Sequence, residues 1–425
     1  MRIPTRLALL PLLLLCSERG TLQAQAQTAY SAAQPDAENG PVSVRWNRLV
    51  PGLVDANTAA RRAARRAAAA AGDSAALRRI AQTPAPFLFR IYTVLGVAQY
   101  AAANSARGNH NVSSDAAVAS ASAVALRDIF SDSTVRASIA RELDRDLRRA
   151  RSASRGTERV MAGIRLGEDA AARVIAWAPP ALALVSPWNG TVPTGPGMWY
   201  SAKGVPLIGI GLIHARGWLL DSAAQFRPEP PPAYGSPTHI AALEEVRRVA
   251  RERTAEQTAI AQRWNSADPW ARWNEVGSDA IRRHHLSEVD AARVLAVLNI
   301  AASDAIIACF DAKYHYWSIR PSQADTTLAL ADSVELPNFP SYPSGHACSA
   351  GGFEGVLGQY FPQDRAEFNR IAEEQAMSRL YGGIHYRFDN DGGLALGRVV
   401  ARHAVERERR GALNAWRTAR TAAKR

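Results

Sequence analysis

Three short segments between residues 313 and 389 carry side chains that could hold and transform a tetrahedral, phosphate-like anion. In Lys313-Tyr-His-Tyr-Trp-Ser-Ile-Arg320-Pro321 two cations stand seven residues apart. That is nearly two helical turns, so on a continuous helix they share one face about 10 Å apart. Like charges there repel unless an anion lies between them, and Pro321 stops the helix just after Arg320. The competing reading is a solvated helix end. In Phe339-Pro-Ser-Tyr-Pro343-Ser344-Gly345-His346 a Ser-Gly pair opens a predicted helix. A hydroxyl and free amides then point at one spot, the arrangement by which helix N-termini bind phosphate-like groups. Gly345 lets an anion approach the backbone, and His346 can deliver or remove a proton. The plainer reading is a capped helix with a surface histidine. In Ser378-Arg379-Leu-Tyr-Gly-Gly-Ile-His385-Tyr-Arg-Phe-Asp389 the Arg379 fork matches two oxygens of such an anion. Gly382-Gly383 lets the chain turn, so that His385 can offer a ring nitrogen to the central atom. Asp389 could bond the other nitrogen and fix the tautomer. The plainer reading is a core histidine beside a surface carboxylate.

Taken together, Lys-x6-Arg-Pro, Pro-Ser-Gly-His and Ser-Arg-x5-His-x3-Asp resemble the signature of the vanadium-dependent haloperoxidase and type 2 phosphatidic acid phosphatase superfamily. All three parts stand intact. The stretches ASDAIIACFDAKYHYWSIRP and QFRPEPPPAYGSP are similar to bacterial haloperoxidase-like proteins, and the likeness extends from about residue 85 to the C-terminus. It implies an all-α fold of two four-helix-bundle-like halves, with the anion at the end of the C-terminal one. It also implies roles: Lys313, Arg320, Ser344, Gly345 and Arg379 hold oxygens, His385 binds the central atom, and His346 is the acid–base group.

Two chemistries follow from this resemblance. As a haloperoxidase the chain would hold vanadate on His385 and oxidise halide with hydrogen peroxide. As a soluble acid phosphatase it would need no metal cofactor: His385 would attack a phosphate ester, Asp389 would orient it and His346 would protonate the leaving alcohol. The long N-terminal half favours the haloperoxidase-like branch. Phe339 stands where chloroperoxidase-like members carry Phe and bromoperoxidase-like members carry His; packing beneath the loop is its simpler role. An anion-binding protein without turnover is a third reading, disfavoured by the intact His346, His385 and Asp389. A zinc enzyme is not supported, since no His-Glu-x-x-His is present and the adjacent His284 and His285 would face different sides of a helix. Asp304, nine residues before Lys313 in an apolar helix, needs a partner; a site cation, Arg379, is the expectation, and a neighbouring helix cap the alternative.

The elements that must position these residues are helical. The chain is rich in alanine and poor in β-branched residues, which favours helix, and no run of alternating strands is evident. Expected helices are Pro86–Ala103, Asp115–Phe130 and Ser133–Ser152, with Asp115 and Ser133 as caps. Another follows Ser236-Pro237, with Ile240, Leu243, Val246 and Val249 on its apolar face. A helix opened by Ser287 runs to about Ile319, apolar nearly all round. Further helices cover Gly345–Tyr360, Arg365–Met377 and Leu394–Arg409. Paired arginines in Ala59–Ala71 read as a solvated face.

Residues 1–26 have the form of a secretory signal: Arg2 and Arg6, the apolar run Leu7–Leu15, then Ala24-Gln25-Ala26. An exported, periplasmic or secreted protein is expected. Residues 27–57 read as an extended lead-in, 58–235 as the N-terminal helical half and 236–425 as the C-terminal half with the site. No later segment is read as apolar enough to span a membrane. Removing residues 1–26 lowers the net charge from +12 to +10. This basic surface would draw small anionic substrates; export argues against nucleic acid. A homo-oligomer is left open. Cys309 and Cys348 lack metal or redox spacing and are read as two buried thiols.

Overall fold

The computed structural model describes residues 40–77, 88–153, 156–180, 188–201, 205–266 and 268–418; the signal expected at 1–26 lies outside them. The described residues form helices joined by loops, with one isolated bridge between Met198 and Ser318 and no strand, so the all-α expectation holds. The first helix, α1 (Val42–Ala70), overturns the extended lead-in over 42–57. Its opening buries Val42, Trp46, Val50 and Leu53 three to four residues apart on one face, with Ser43, Val44 and Asn47 buried as well, and the partly buried Glu288 carboxylate accepts from the amide of Ser43 at 3.0 Å. The paired arginines lie in its exposed second half.

Next come α2 (Leu88–Ala106), α3 (Ser114–Ile129), α4 (Ser133–Ala153) and α5 (Thr157–Trp177). Their caps differ from expectation by a residue or two. Ser113 accepts from the amide of Ala116, and Asp132 accepts from Thr134 and Val135. After a loop region come α6 (Pro237–Glu252), capped by Ser236 as expected, α7 (Ala255–Ser266) and α8 (Pro269–Arg283). Ile240 points outward, 53% exposed, while Leu243, Val246 and Val249 are buried.

The central element is α9 (Glu288–Tyr316), capped by Ser287 and buried along nearly its whole length. By length and composition α9 could cross a membrane, which corrects the sequence reading, but 89% of its apolar stretch is buried inside the protein. It stops three residues earlier than expected: Trp317 turns left-handed (φ 49°) and donates to the Lys313 carbonyl. The short α10 (Pro321–Ala324) follows, then α11 (Gly345–Tyr360), α12 (Arg365–Tyr381) and α13 (Arg387–Arg409). α13 begins seven residues before the expected start, which places Asp389 in its first turn.

Helices α11 and α13 approach closely through glycines. A Cβ at Gly397 would lie 2.2 Å from the Cys348 carbonyl oxygen, and one at Gly351 2.4 Å from that of Leu394. Only glycine permits this contact, which fixes where Ser344, Gly345 and His346 stand relative to Asp389.

Candidate active site

The site lies where the C-terminal end of α9, the N-terminal ends of α11 and α13, and the C-terminal end of α12 meet. Lys313, on the last turn of α9, is fully buried. Its ammonium donates to the carbonyls of Pro340 (2.9 Å) and Ser341 (2.7 Å), which leaves one N–H uncommitted. Burial, and secondarily the Arg320 charge, lowers its pKa to about 8.

Arg320 is not on the same helix as Lys313, as the spacing suggested; it precedes α10, where Pro321 starts a helix. The two cations are brought together by what they share. Phe339 lies under both, 4.8 Å from the Lys313 ammonium and 4.9 Å from the Arg320 guanidinium carbon, a cation–π arrangement. Arg320 donates to the carbonyls of Phe339 (3.1 Å) and Ile384 (2.8 Å), and its Nη1 meets His385 Nε2 at 3.2 Å. Burial lowers its pKa to about 10.

His385 is held from both sides. Nδ1 lies 2.8 Å from Asp389 Oδ2, which also accepts from the Ser341 hydroxyl (2.6 Å) and the Tyr386 amide (3.1 Å). Burial raises Asp389 to about 6 against these bonds and the Lys313 charge. Burial and then Arg320, Lys313 and Arg379 push His385 well below its ordinary value, so the ring is neutral.

Arg379 donates to Ser378 Oγ (2.9 Å), the Ala261 carbonyl (3.0 Å) and Asn265 Oδ1 (3.4 Å). One N–H on each terminal nitrogen stays uncommitted, a two-pronged donor. Burial lowers its pKa to about 10.

At the start of α11, the Ser344 amide donates to the Asp389 carbonyl (2.8 Å), which ties α11 to α13. The Ser344 hydroxyl is buried and has no partner. A Cβ at Gly345 would meet nothing within 4 Å, so the first-turn amides open on free space. His346 is partly exposed in outline. Its Nε2 lies 3.2 Å from the Trp264 carbonyl, and burial followed by the charges of Arg379, Lys313 and Arg320 keeps it neutral.

The structure thus gathers Lys313, Arg320, Ser344, Gly345, His346, Arg379, His385, Asp389 and Phe339 in one place. Asp304 does not join them. Its carboxylate accepts from the amides of Trp218 (2.8 Å), Leu219 (2.8 Å) and Leu220 (3.2 Å), not from Arg379. Burial raises it to about 6 against those three bonds. Its role is to anchor the 217–220 loop on α9. Cys309 and Cys348 are free, buried thiols, as expected. The sequence reading missed Ser341, whose hydroxyl and carbonyl serve Asp389 and Lys313. It also missed the α7 carbonyls that receive Arg379 and His346. Ser341 lay inside a recognised segment; a backbone carbonyl has no sequence signal.

Three buried cations, an orphan hydroxyl, open helix-start amides and an imidazole form a cradle for a small tetrahedral anion. Residues 292–410 match the profile of the PAP2 superfamily. A vanadium-dependent bromoperoxidase of Ascophyllum nodosum is 32% identical over 115 residues, a match covering 20% of this chain and 21% of that protein. The fold is similar to a bacterial vanadium-dependent iodoperoxidase, with a TM-score of 0.61 and 24% identity over 75% of this chain and 90% of the other. A bacterial vanadium-dependent chloroperoxidase in its apo form gives a TM-score of 0.58 with 12% identity, covering 76% and 94%. Residues 292–410 are thus similar to the PAP2 superfamily, and the chain's fold is similar to that of the vanadium-dependent haloperoxidases.

Proposed function

We propose that this chain is an exported haloperoxidase-like enzyme that holds vanadate on His385 and oxidises a halide with hydrogen peroxide. The observation that carries the proposal is the His385 ring, whose Nε2 lone pair faces the cation cradle against Arg320 Nη1 while Asp389 holds Nδ1. A neutral imidazole pre-oriented by a carboxylate is the form that ligates a metal centre. The likeness to a bromoperoxidase sequence and to two haloperoxidase folds supports this choice. The apolar run at residues 7–15 supports export.

Vanadate fits the residues present. The buried Ser344 hydroxyl lacks a partner, the space at Gly345 is open, and the uncommitted N–H groups belong to Lys313 and Arg379. When bound, vanadate supplies a Lewis-acidic centre that activates peroxide without changing its own oxidation state. The protein's part is electrostatic and protonic. Lys313 and Arg379 offer fixed positive charge where negative charge develops, at a site too dry for water to screen it. His346, neutral at neutral pH, accepts a proton from incoming peroxide and later returns it. Arg320, engaged with three backbone carbonyls, contributes charge and holds the His385 ring.

The test is an assay of the metal-free protein with orthovanadate, peroxide and bromide, and separately with a phosphate ester. Halogenation that requires vanadate supports the proposal. Ester cleavage inhibited by vanadate would replace it with the phosphatase reading, in which His385 is the nucleophile.

A further inference from the structure

Helix α7 ends against the site and touches two of its working residues. The Ala261 carbonyl accepts from Arg379 at 3.0 Å, and Asn265 Oδ1 lies 3.4 Å from the same guanidinium. One turn later the Trp264 carbonyl receives His346 Nε2 at 3.2 Å. A carbonyl only accepts, so Nε2 carries the proton and Nδ1 of the neutral ring keeps its lone pair. The partly negative C-terminal end of α7 also faces a cluster of buried cations, which favours them.

α7 is itself fastened to α12, the helix that carries Arg379. Glu374 Oε1 accepts from the Trp264 indole (2.9 Å) and from Arg263 (2.9 Å). The Trp264 side chain is buried, whereas Glu374 is partly exposed. The next residue on α12, Gln375, donates to the His346 carbonyl (2.9 Å). Arg379, His346 and the end of α7 are thereby held in one frame.

We infer that Glu374 and Trp264 are positioning residues for the oxyanion site: their bond sets the last turn of α7, and that turn aims the Arg379 fork and fixes the His346 tautomer. This inference rests on the anion-holding reading of the site, whichever chemistry follows.

The sign of the effect separates positioning from plain electrostatics. Glu374 is an anion near an anion site. Deleting it for its charge alone would tighten binding of another anion. Deleting it as the acceptor that holds α7 would weaken binding. Binding of orthophosphate and of orthovanadate to the purified full chain, read by calorimetry, distinguishes the two. For Glu374→Ala we expect affinity to fall about tenfold, the scale of lost outer-shell support. Trp264→Phe, which keeps the ring but removes the donor, should fall likewise with no change of charge. Glu374→Gln keeps an acceptor for the indole and should bind as the native protein does or slightly tighter. Melting curves of the partly exposed Glu374 variants establish that each is folded. Native-like or tighter binding by Glu374→Ala would overturn the inference, as would equal losses in Glu374→Gln and Glu374→Ala. Absence of binding by the native protein would overturn the anion site itself, and the inference with it.

Discussion

Nη1 of Arg320 lies 3.2 Å from Nε2 of His385, and because a guanidinium can only donate, the two atoms fix the histidine's protonation. Nε2 holds the lone pair, and Nδ1–H donates to Asp389 at 2.8 Å. Assembled this way, the imidazole already has the tautomer that binds an electrophilic centre, which would take the place of the Arg320 N–H at Nε2.

Asp389→Asn should break this arrangement while conserving shape. The carboxamide can turn its NH2 toward Nδ1, which favours the wrong tautomer. Orthovanadate affinity is expected to fall about 10- to 100-fold, read by calorimetry. Unchanged affinity would separate Asp389 from the role of orienting His385.

His346→Ala should separate binding from turnover. Its Nε2 is committed to the Trp264 carbonyl, so its loss leaves the cation cradle intact. Anion affinity should change little, and the catalytic rate should fall by about 10²- to 10⁴-fold, the usual range for a lost acid–base group. Steady-state kinetics alongside calorimetry checks both halves.

Anion affinity should decline as pH rises through about 8, where Lys313 releases its proton. The sign follows from the charge: the cationic form binds and the neutral form does not, so affinity drops toward the alkaline side. Lys313→Met should bind more weakly at neutral pH and lose that alkaline decline. Phe339→Ala, by opening the buried ammonium to water, should move the decline to higher pH. A titration of orthophosphate affinity from pH 6 to 10 reads all three.

Asp304→Asn should act on stability and leave the site alone. Three amides point at the carboxylate, and an amide NH2 would face at least one of them. Chemical denaturation is expected to show a loss of about 1–3 kcal/mol. Burial has raised Asp304 to about 6, above its unfolded value. Its ionisation therefore costs stability as pH rises from about 4 to 6, and the native protein should lose that increment while Asp304→Asn does not.

Much of the site was legible because its chemistry resides in side chains. Lys313, Arg320, Ser344, His346, Arg379, His385 and Asp389 could each be named from residue type and spacing. The helices were legible where a cap and an apolar period coincide, as at Ser236-Pro237 and Ser287. Where the backbone does the work, the sequence was silent. Asp304 was assigned to Arg379 because a buried carboxylate needs a partner, and three loop amides served instead. The start of α1 was read as extended, since its apolar face becomes visible only against the helices it packs on. Arg320 was placed on the helix of Lys313, whereas the left-handed Trp317 ends that helix first.

The central claim is that Lys313, Ser344, Arg379 and His385 surround one tetrahedral oxyanion. A crystal structure of the protein soaked in orthovanadate tests it most directly. The account predicts density for a single anion bonded to His385 Nε2 and within hydrogen-bond distance of Lys313, Arg379, the Ser344 hydroxyl and the α11 amides. An anion bound elsewhere, with His385 still capped by Arg320 and the Ser344 hydroxyl still alone, would contradict it.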